Sequence, residues 1–196
     1  NVNGYSYTGG LVGDNWGGQI NSSKSTSSVT GTNYVGGLIG YTKNASNIKN
    51  SYCRGDVTRK SSSTETNIGG YCGYNENSTI EFSYSTGSVY YDGTGAPTDK
   101  GFSGGDNGSS DVVYTANFFD SQASNQTTGT GATASNTTAM TDATLYANAG
   151  WDGTIWFIDA SNDGYVHLEF EDWGGQSITW GVATVSTDET SNIGTT

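Results

Sequence analysis

The stretch Val35-Gly-Gly-Leu-Ile-Gly40 decides the fold, because close copies of it recur along the chain. Its counterparts are Thr8-Gly-Gly-Leu-Val-Gly13 and Ile68-Gly-Gly-Tyr-Cys-Gly73, and a shorter fourth copy begins at Phe102. The copies are spaced by 27, 33 and about 34 residues. Self-similarity at this period predicts a repeat protein whose units are each too small to bury an apolar face alone.

A second block follows each copy at a constant internal spacing. Short β-favouring runs divided by glycine turns, without a helical period, are typical of coils stacked in parallel. We therefore predict an all-β fold, a right-handed parallel β-solenoid (β-helix) with a small C-terminal cap and a trailing strand. Equivalent residues of successive coils should lie on one another, and the expected core columns are Ile20/Ile48/Ile80, Val29/Val57/Val89 and Leu11/Leu38/Tyr71.

The sequence divides into three regions. Glycine-rich solenoid repeats occupy residues 1–110, and a closing cap segment with aromatic residues occupies 111–172. In that cap, one short helix is expected near Ala139–Tyr146, and Trp151, Trp156 and Tyr165 are expected to cover the apolar end of the solenoid. A tail of residues 173–196 follows.

The tail contains a candidate assembly strand. Ile178, Trp180 and Val182 alternate with smaller or polar residues, which is the two-residue period of a strand. At the other end the chain begins inside a repeat, so the first coil is expected to lack an upstream neighbour. Since an exposed edge can accept a strand from another molecule, one hypothesis is that the protein is its own partner and forms a homopolymer.

Composition limits the classes of partner. The formal net charge is −12, with only 7 Lys and Arg residues, and this argues against a nucleic-acid partner because phosphate binding needs clustered basic side chains. No apolar run has the length of a membrane span. The sequence therefore predicts no nucleic-acid partner and no membrane span, and its acidity suits an anionic cell-surface layer.

Six sequons of the form Asn-X-Ser/Thr favour secretion weakly, because an Asn/Ser/Thr-rich chain produces some of them by chance. They mark candidate glycosylation sites, and with them a candidate glycoprotein, at Asn21, Asn44, Asn77, Asn107, Asn125 and Asn136.

Catalytic chemistry is not apparent in the sequence, and we expect no catalytic residue and no cofactor. It has no motif of a zinc peptidase, serine hydrolase or nucleotide-binding loop. The single histidine, His167, has no Ser or Cys partner at a recognisable spacing. Asp14 and Asp56 do not fall into the acidic columns that a solenoid glycan-cleaving enzyme would need.

A calcium site remains an alternative to solvated turn carboxylates in two acidic stretches. Asp159 and Asp163 flank one of them, and Asp99 and Asp106 flank the other. Both offer the hard oxygen ligands that calcium prefers, although neither has an established calcium-loop spacing.

Two further alternatives stay open. Cys53 and Cys72 could form a disulfide, which an even cysteine count in a secreted protein allows, or remain two buried free thiols. The tyrosines could form a sugar-binding strip, or stack between coils, with Tyr52 on Tyr84, for structural reasons alone.

The repeats resemble a known family. The glycine-rich copies, followed by Asn50-Ser-Tyr-Cys-Arg-Gly-Asp-Val57 and Phe82-Ser-Tyr-Ser-Thr-Gly-Ser-Val89, resemble the GLUG repeat of bacterial and archaeal surface proteins and filamentous adhesins. The resemblance implies an extracellular structural surface protein, such as a stalk, an adhesin or a filament or sheath subunit, in contact with itself or other surface proteins. The alternatives are a glycan- or receptor-binding adhesin module and, third, an enzyme that degrades polysaccharide.

Overall fold

The computed structural model describes residues 1–93 and 95–171, and successive repeat units supply equivalent short strands. The first unit contains β1 (Val2–Asn3), β2 (Ser6–Gly9), β3 (Val12–Trp16), β4 (Gln19–Asn21) and β5 (Lys24–Ser25). The second contains β6 (Val29–Gly31), β7 (Asn33–Gly36), β8 (Ile39–Lys43), β9 (Asn47–Lys49) and β10 (Tyr52–Cys53). The third contains β11 (Val57–Arg59), β12 (Ile68–Gly69), β13 (Cys72–Glu76), β14 (Thr79–Glu81) and β15 (Tyr84–Ser85).

The remaining elements follow in chain order. The strands are β16 (Val89–Tyr91), β17 (Val113–Thr115), β18 (Phe118–Asp120), β19 (Thr133–Ser135), β20 (Trp156–Ile158) and β21 (Val166–Leu168). The helices are α1 (Thr137–Met140) and α2 (Ala143–Asn148), and two 3₁₀ turns cover Ala160–Asn162 and Glu169–Glu171.

Each strand of a unit pairs in parallel with the equivalent strand of the next unit. The resulting sheets run β1–β6–β11–β16, β2–β7–β12, β3–β8–β13, β4–β9–β14–β17 and β5–β10–β15–β18–β19. Ile48 lies opposite both Ile20 and Ile80, and the predicted isoleucine column is therefore confirmed. The valine column is confirmed in the same way, because Val57 pairs with Val29 and Val89. The described residues are all-β in character, with parallel sheets apart from the antiparallel pair β20–β21.

The third predicted column differs at its outer member. Leu38 and Tyr71 are buried, and Phe102 of the fourth copy stacks on Tyr71 with ring centroids 4.5 Å apart. Leu11 is 47% exposed instead of buried. It belongs to the outermost described unit, where no neighbouring unit among the described residues covers it.

Polar side chains also form columns between units. The backbone amide of Ser23 donates to Oγ of Ser51, and the amide of Ser51 donates to Oγ of Ser83. Asn117 continues the series by accepting from the amide of Ser83 through Oδ1. Because such ladders satisfy buried polar groups, a chain with few apolar residues can still form a close-packed interior.

Glycine allows the units to approach closely. A Cβ added at Gly36 would lie 2.1 Å from the carbonyl oxygen of Ile39 and 2.7 Å from the amide nitrogen of Gly73 in the next unit. These are backbone atoms, which cannot move aside as a flexible side chain could. The paired glycines of the repeat are therefore required by packing between units.

The segment after β19 contains two short helices where the sequence predicted one. Asn136 caps α1 by accepting from the amide of Ala139, and Asp142 caps α2 by accepting from the amide of Thr144. The predicted single helix was wrong because Thr141 and Asp142 leave helical geometry and begin a second helix at a new cap. No helix in the part of the chain that the structure describes has the length and apolarity needed to cross a membrane.

The aromatic residues of this segment lie along the side of the stacked units, not over their end. Tyr52 and Tyr84 are neighbours in one parallel sheet, and Trp156 lies 6.2 Å and 6.0 Å from their ring centroids. Trp151 and Tyr165 belong to the same buried cluster. The expectation that these side chains cover the apolar end is therefore corrected, since one sheet of successive units supplies the surface that they contact.

Two predictions concern regions that these contacts do not test. The division into residues 1–110, 111–172 and 173–196 stays a prediction. The candidate assembly strand with Ile178, Trp180 and Val182 lies outside the described residues.

Candidate functional site

Four tyrosines form a contiguous ring cluster, which we call the tyrosine cluster. Tyr41 and Tyr74 face each other in register on β8 and β13, with ring centroids 6.0 Å apart. Tyr7 and Tyr34, from β2 and β7, stack at 5.0 Å, and the ring of Tyr34 lies 5.0 Å from that of Tyr41. The stacking of units thus gathers aromatic rings from two adjacent sheets on one surface.

The backbone at two of these positions is unusual. Tyr7 and Tyr34 have φ angles of 52° and 51°, in the left-handed region that bulky residues seldom adopt. The same conformation recurs at equivalent positions of β2 and β7, whose residues Thr8 and Val35 lie in register. Its effect is to direct both rings toward the neighbouring sheet, where they meet Tyr41.

Charged groups border the tyrosine cluster. The ammonium of Lys43 lies 4.1 Å from the ring centroid of Trp16 and 4.9 Å from that of Tyr41. The Tyr41 hydroxyl donates to the Glu76 carboxylate. Burial raises the pKa of Tyr41 above its ordinary value, and the bond to Glu76 raises it further, so Tyr41 stays protonated and keeps this hydrogen bond at physiological pH.

The exposed part of this surface can stack on flat or weakly polar ligands. Trp16 is 69% exposed and Tyr7 46% exposed, whereas Tyr41 is buried beneath them. Aromatic ring faces carry a negative quadrupole and attract C–H groups and cations. The surface is therefore suited to the C–H face of a sugar ring or to an apolar side chain of a protein partner.

The tyrosines do not form one continuous strip. Tyr52 and Tyr84 stack at 4.8 Å with an interplanar angle of 2°, which confirms the predicted cross-coil pair. Both are buried against the closing segment and unavailable to a ligand. Tyr90 and Tyr91 lie on β16, which belongs to another sheet than the tyrosine cluster.

The structure contains both cysteines as buried free thiols, so of the two alternatives it holds the thiols and not the disulfide. Sγ of Cys53 donates to the carbonyl oxygen of Gly70, and Sγ of Cys72 donates to that of Tyr74. Burial raises the pKa of Cys72 to about 12 and raises the pKa of Cys53 as well. Because the thiolate is the reactive form, both groups are chemically inert in the folded chain.

The histidine and the neighbouring carboxylates have structural contacts. Nε2 of His167 lies 3.4 Å from Oδ1 of Asp159, which also accepts from the amide of Ser161. Asp163 pairs with Arg54 at 2.8 Å, and this links the closing segment to the repeats. Nδ1 of His167 lies 3.3 Å from the carbonyl oxygen of Leu168, and its ring centroid lies 6.2 Å from that of Phe157.

The other carboxylates considered for catalysis or calcium are separate from one another. Asp14 is exposed and lies in register with Tyr41, and Asp56 accepts from the amide of Ser88. Asp99 is 3.7 Å from Lys100, and Asp106 accepts from the amide of Gly108. Within residues 1–93 and 95–171, no group of three His, Cys, Asp or Glu residues is arranged to hold a metal ion.

The six sequon asparagines lie at or near the surface. Asn77 is partly buried, and the other five, Asn21, Asn44, Asn107, Asn125 and Asn136, are exposed. Asn44 and Asn77 occupy equivalent left-handed turn positions of successive units, with φ angles of 58° and 60°. Asparagine tolerates this conformation, so a turn requirement explains these two sequons without glycosylation.

A polar cleft near the tyrosine cluster was not predicted. A loop of residues 60–67 forms one wall, and Tyr5, Ser6 and Asn33 of the first two units form the other. The loop is rich in Ser and Thr, a composition that does not by itself indicate a cleft. The signal that was available is its length, because the equivalent connections of the first two units contain two residues and one residue.

Comparisons with known proteins agree with the repeat interpretation. The chain matches the GLUG motif over residues 31–58, which cover the second unit and the start of the third. No curated protein and no solved structure matched the chain. The resemblance to GLUG-repeat proteins is confirmed by this match, and the motif is associated with repeat-type surface or extracellular proteins.

Proposed function

We propose that this chain is an extracellular structural protein of the cell surface, a right-handed parallel β-solenoid that serves as a rigid scaffold in a stalk, adhesin, filament or sheath. The observation that carries the proposal is the in-register pairing of equivalent strands across successive units. Rigidity follows because each unit is held to its neighbour by several parallel ladders at once. The right-handed sense is expected because parallel strand connections strongly favour it.

The chemistry of the surface supports a role without catalysis. Among residues 1–93 and 95–171 the carboxylates are dispersed, and buried serines form hydrogen-bond ladders between units. We propose that the chain is not an enzyme and works without a cofactor, and that bound calcium, if present, would stabilise turns only.

The dimensions of the fold indicate how such a scaffold gains length. Adjacent strands are about 4.8 Å apart, so each unit adds only about 4.8 Å along the stack. Any reach beyond a few nanometres therefore needs further units, either in the same chain or in other copies. We propose strand addition between copies, with the segment around Ile178, Trp180 and Val182 as the donor.

Two experiments test the scaffold. Electron microscopy of the native material should show filaments, stalks or sheaths, and isolated compact particles would contradict the proposal. For strand addition, deletion of residues 177–196 should leave soluble monomers in light scattering. An unchanged assembly state would overturn that part and leave the scaffold itself standing.

A glycan- or receptor-binding module is the second candidate, favoured by the exposed rings around the tyrosine cluster. Trp16→Ala and Tyr7→Ala would remove exposed ring faces with little effect on the interior. A glycan array probed with the wild type and these variants should show binding that the variants lose. A chain that binds no glycan would leave the scaffold as its proposed function.

A further inference from the structure

Hydrogen bonds to the first two units hold the loop of residues 60–67 in place over the polar cleft. The amide of Lys60 donates to the carbonyl oxygen of Gly31, and its ammonium donates to that of Gly4. The buried Ser63 donates to the carbonyl oxygen of Thr32 at 2.5 Å. At the other end of the loop, the carbonyl oxygen of Asn67 accepts from the amide of Val35. The loop of the third unit is thus held against the first two units at its start, its middle and its end.

The inside of the loop is held by further hydrogen bonds. Nη1 of Arg59 donates to the carbonyl oxygen of Glu65, and the amide of Glu65 donates to Oγ of Ser63. These bonds fix the wall of the cleft before any ligand arrives. A preformed cleft loses less conformational entropy on binding than a mobile loop would.

The lining of the cleft is polar and lacks a free positive group. Its volume is about 270 Å³, and the loop contributes Ser62, Thr64 and Glu65 to its wall. The ammonium of Lys60 is engaged at Gly4. A carboxylate in the wall disfavours anionic ligands, because the nearby cations Arg59 and Lys60 are engaged with backbone carbonyl oxygens. Abundant hydroxyl and amide groups favour a neutral ligand with many hydroxyls.

Two features of the opposite wall point to a sugar. Tyr5 is 78% exposed at the rim, so its ring face is free to stack on the C–H face of a pyranose. Oδ1 of Asn33 is buried without a hydrogen-bond partner. A ligand hydroxyl would satisfy this oxygen after rotation of the terminal amide, which is a soft torsion.

We propose that this cleft binds a single neutral saccharide residue of a glycan, with Tyr5 as the stacking platform and Asn33 and Glu65 as hydroxyl acceptors. The volume, just below the range of drug-sized pockets, accommodates one sugar ring and leaves the rest of a chain outside. The inference goes beyond the scaffold and deepens the second candidate function, because it names a site distinct from the tyrosine cluster.

The test uses the full chain, labelled with ¹⁵N and titrated with methyl glycosides of glucose, galactose, mannose, N-acetylglucosamine and N-acetylgalactosamine. At least one glycoside should cause saturable shifts of the amides of residues 62–65. Tyr5→Ala and Asn33→Thr should each weaken that binding about tenfold. Threonine is chosen at position 33 because the equivalent residue of the third unit is Thr66. Tyr90→Ala is the matched control, a partly exposed tyrosine on another sheet, and should change nothing.

Three results would contradict the binding of a saccharide in the cleft. They are the absence of shifts with every glycoside, equal affinity in the wild type and Tyr5→Ala, and shifts confined to the tyrosine cluster. The last result would still support a glycan-binding module, with its binding site at the tyrosine cluster and not in the cleft. The scaffold proposal is tested separately by the electron microscopy described above, and circular dichroism of the titrated samples shows whether a variant that loses binding has kept its fold.

Discussion

The repeat units and the closing segment bury their side chains in different ways. In the repeats, aliphatic residues such as Ile20, Ile48 and Ile80 lie on one another, and serine side chains at other positions form hydrogen bonds from unit to unit. In the closing segment, large rings such as Trp151 and Trp156 pack in varied orientations against a flat sheet. The repeats are ordered by the stacking of equivalent residues, and the closing segment is ordered by the packing of its large rings against the sheet.

This difference shows what each region contributes. Repetition needs little apolar surface per unit, because backbone ladders and side-chain columns satisfy most groups. It also leaves the outward rings of Tyr52 and Tyr84 to be covered, and the closing segment covers them. The two regions should therefore respond differently to substitution, pH and loss of packing.

The largest effect is expected from Trp156→Ala in the closing segment. Trp156 is fully buried and lies 4.7 Å from Trp151, ring centroid to ring centroid. Its truncation should lower the free energy of unfolding by about 3–5 kcal/mol, measured by urea denaturation. Trp16→Ala, at an exposed ring of the repeats, should cost no more than about 1 kcal/mol, and comparable costs at both sites would break the contrast.

A smaller loss is expected where units approach each other. Gly36→Ala places a Cβ against backbone atoms of its own unit and the next, and should cost about 2–3 kcal/mol. Gly105→Ala is the control, since its Cβ would lie 3.5 Å from the nearest atom, in the ring of Tyr74. Equal stabilities of the two variants, measured by thermal denaturation, would show that close approach between units is not required.

The junction between the regions predicts a third effect. The Tyr84 hydroxyl donates to the carbonyl oxygen of Val166 at 2.7 Å and accepts from Nδ2 of Asn162. Tyr84→Phe should cost about 1–2 kcal/mol, because it removes both buried hydrogen bonds of the hydroxyl, although the carbonyl oxygen of Val166 keeps the bond from Nδ2 of Asn162. Tyr5→Phe, at an exposed ring, should leave the urea midpoint unchanged, and a matching loss there would mean that the effect is not specific to the junction.

The smallest expected effect is a pH dependence of the closing segment. Hydrogen bonds from Thr144, Thr154 and Ser161 lower the pKa of the turn carboxylates Asp142, Asp152 and Asp159. Their contribution to stability is present above the unfolded-state pKa of about 4 and is lost as pH falls through the lowered folded pKa. The Tm measured by tryptophan fluorescence should therefore be lower at pH 3 than at pH 6.

A variant with Asn at all three of these positions should show a smaller difference between the two pH values. Asparagine keeps an acceptor for each turn and removes the titrating group. If the variant retained the whole pH dependence of the wild type, carboxylates elsewhere in the chain would be responsible for it.

The sequence predicted the repeats well and the surroundings less well, for physical reasons. The columns of Ile48 and Val57 were predictable because like residues recur at constant spacing. The position of Trp156 was not, because an aromatic residue without a repeat partner carries no register information. The second helix was not predicted, because the residues around Asp142 favour helix and the N-cap at Asp142 was not distinguished from them.

The candidate binding surfaces were only partly predictable. Stacking of Tyr52 on Tyr84 followed from equivalent positions, but their burial depended on the closing segment. The tyrosine cluster joins residues of two sheets. The repeat spacing predicts which residues pair within one sheet, but it does not predict which residues of two different sheets lie close together. The cleft depends on a loop that folds back over other units, and only the excess length of that loop was visible in the sequence.

Methyl NOE spectroscopy on selectively isoleucine-labelled protein tests the stacking of units most directly. Ile48 should show cross-peaks to both Ile20 and Ile80, while Ile20 and Ile80, two unit spacings or about 9.6 Å apart, show none to each other. The absence of the Ile20–Ile48 and Ile48–Ile80 cross-peaks in the folded protein would contradict the stacking and the scaffold proposed from it.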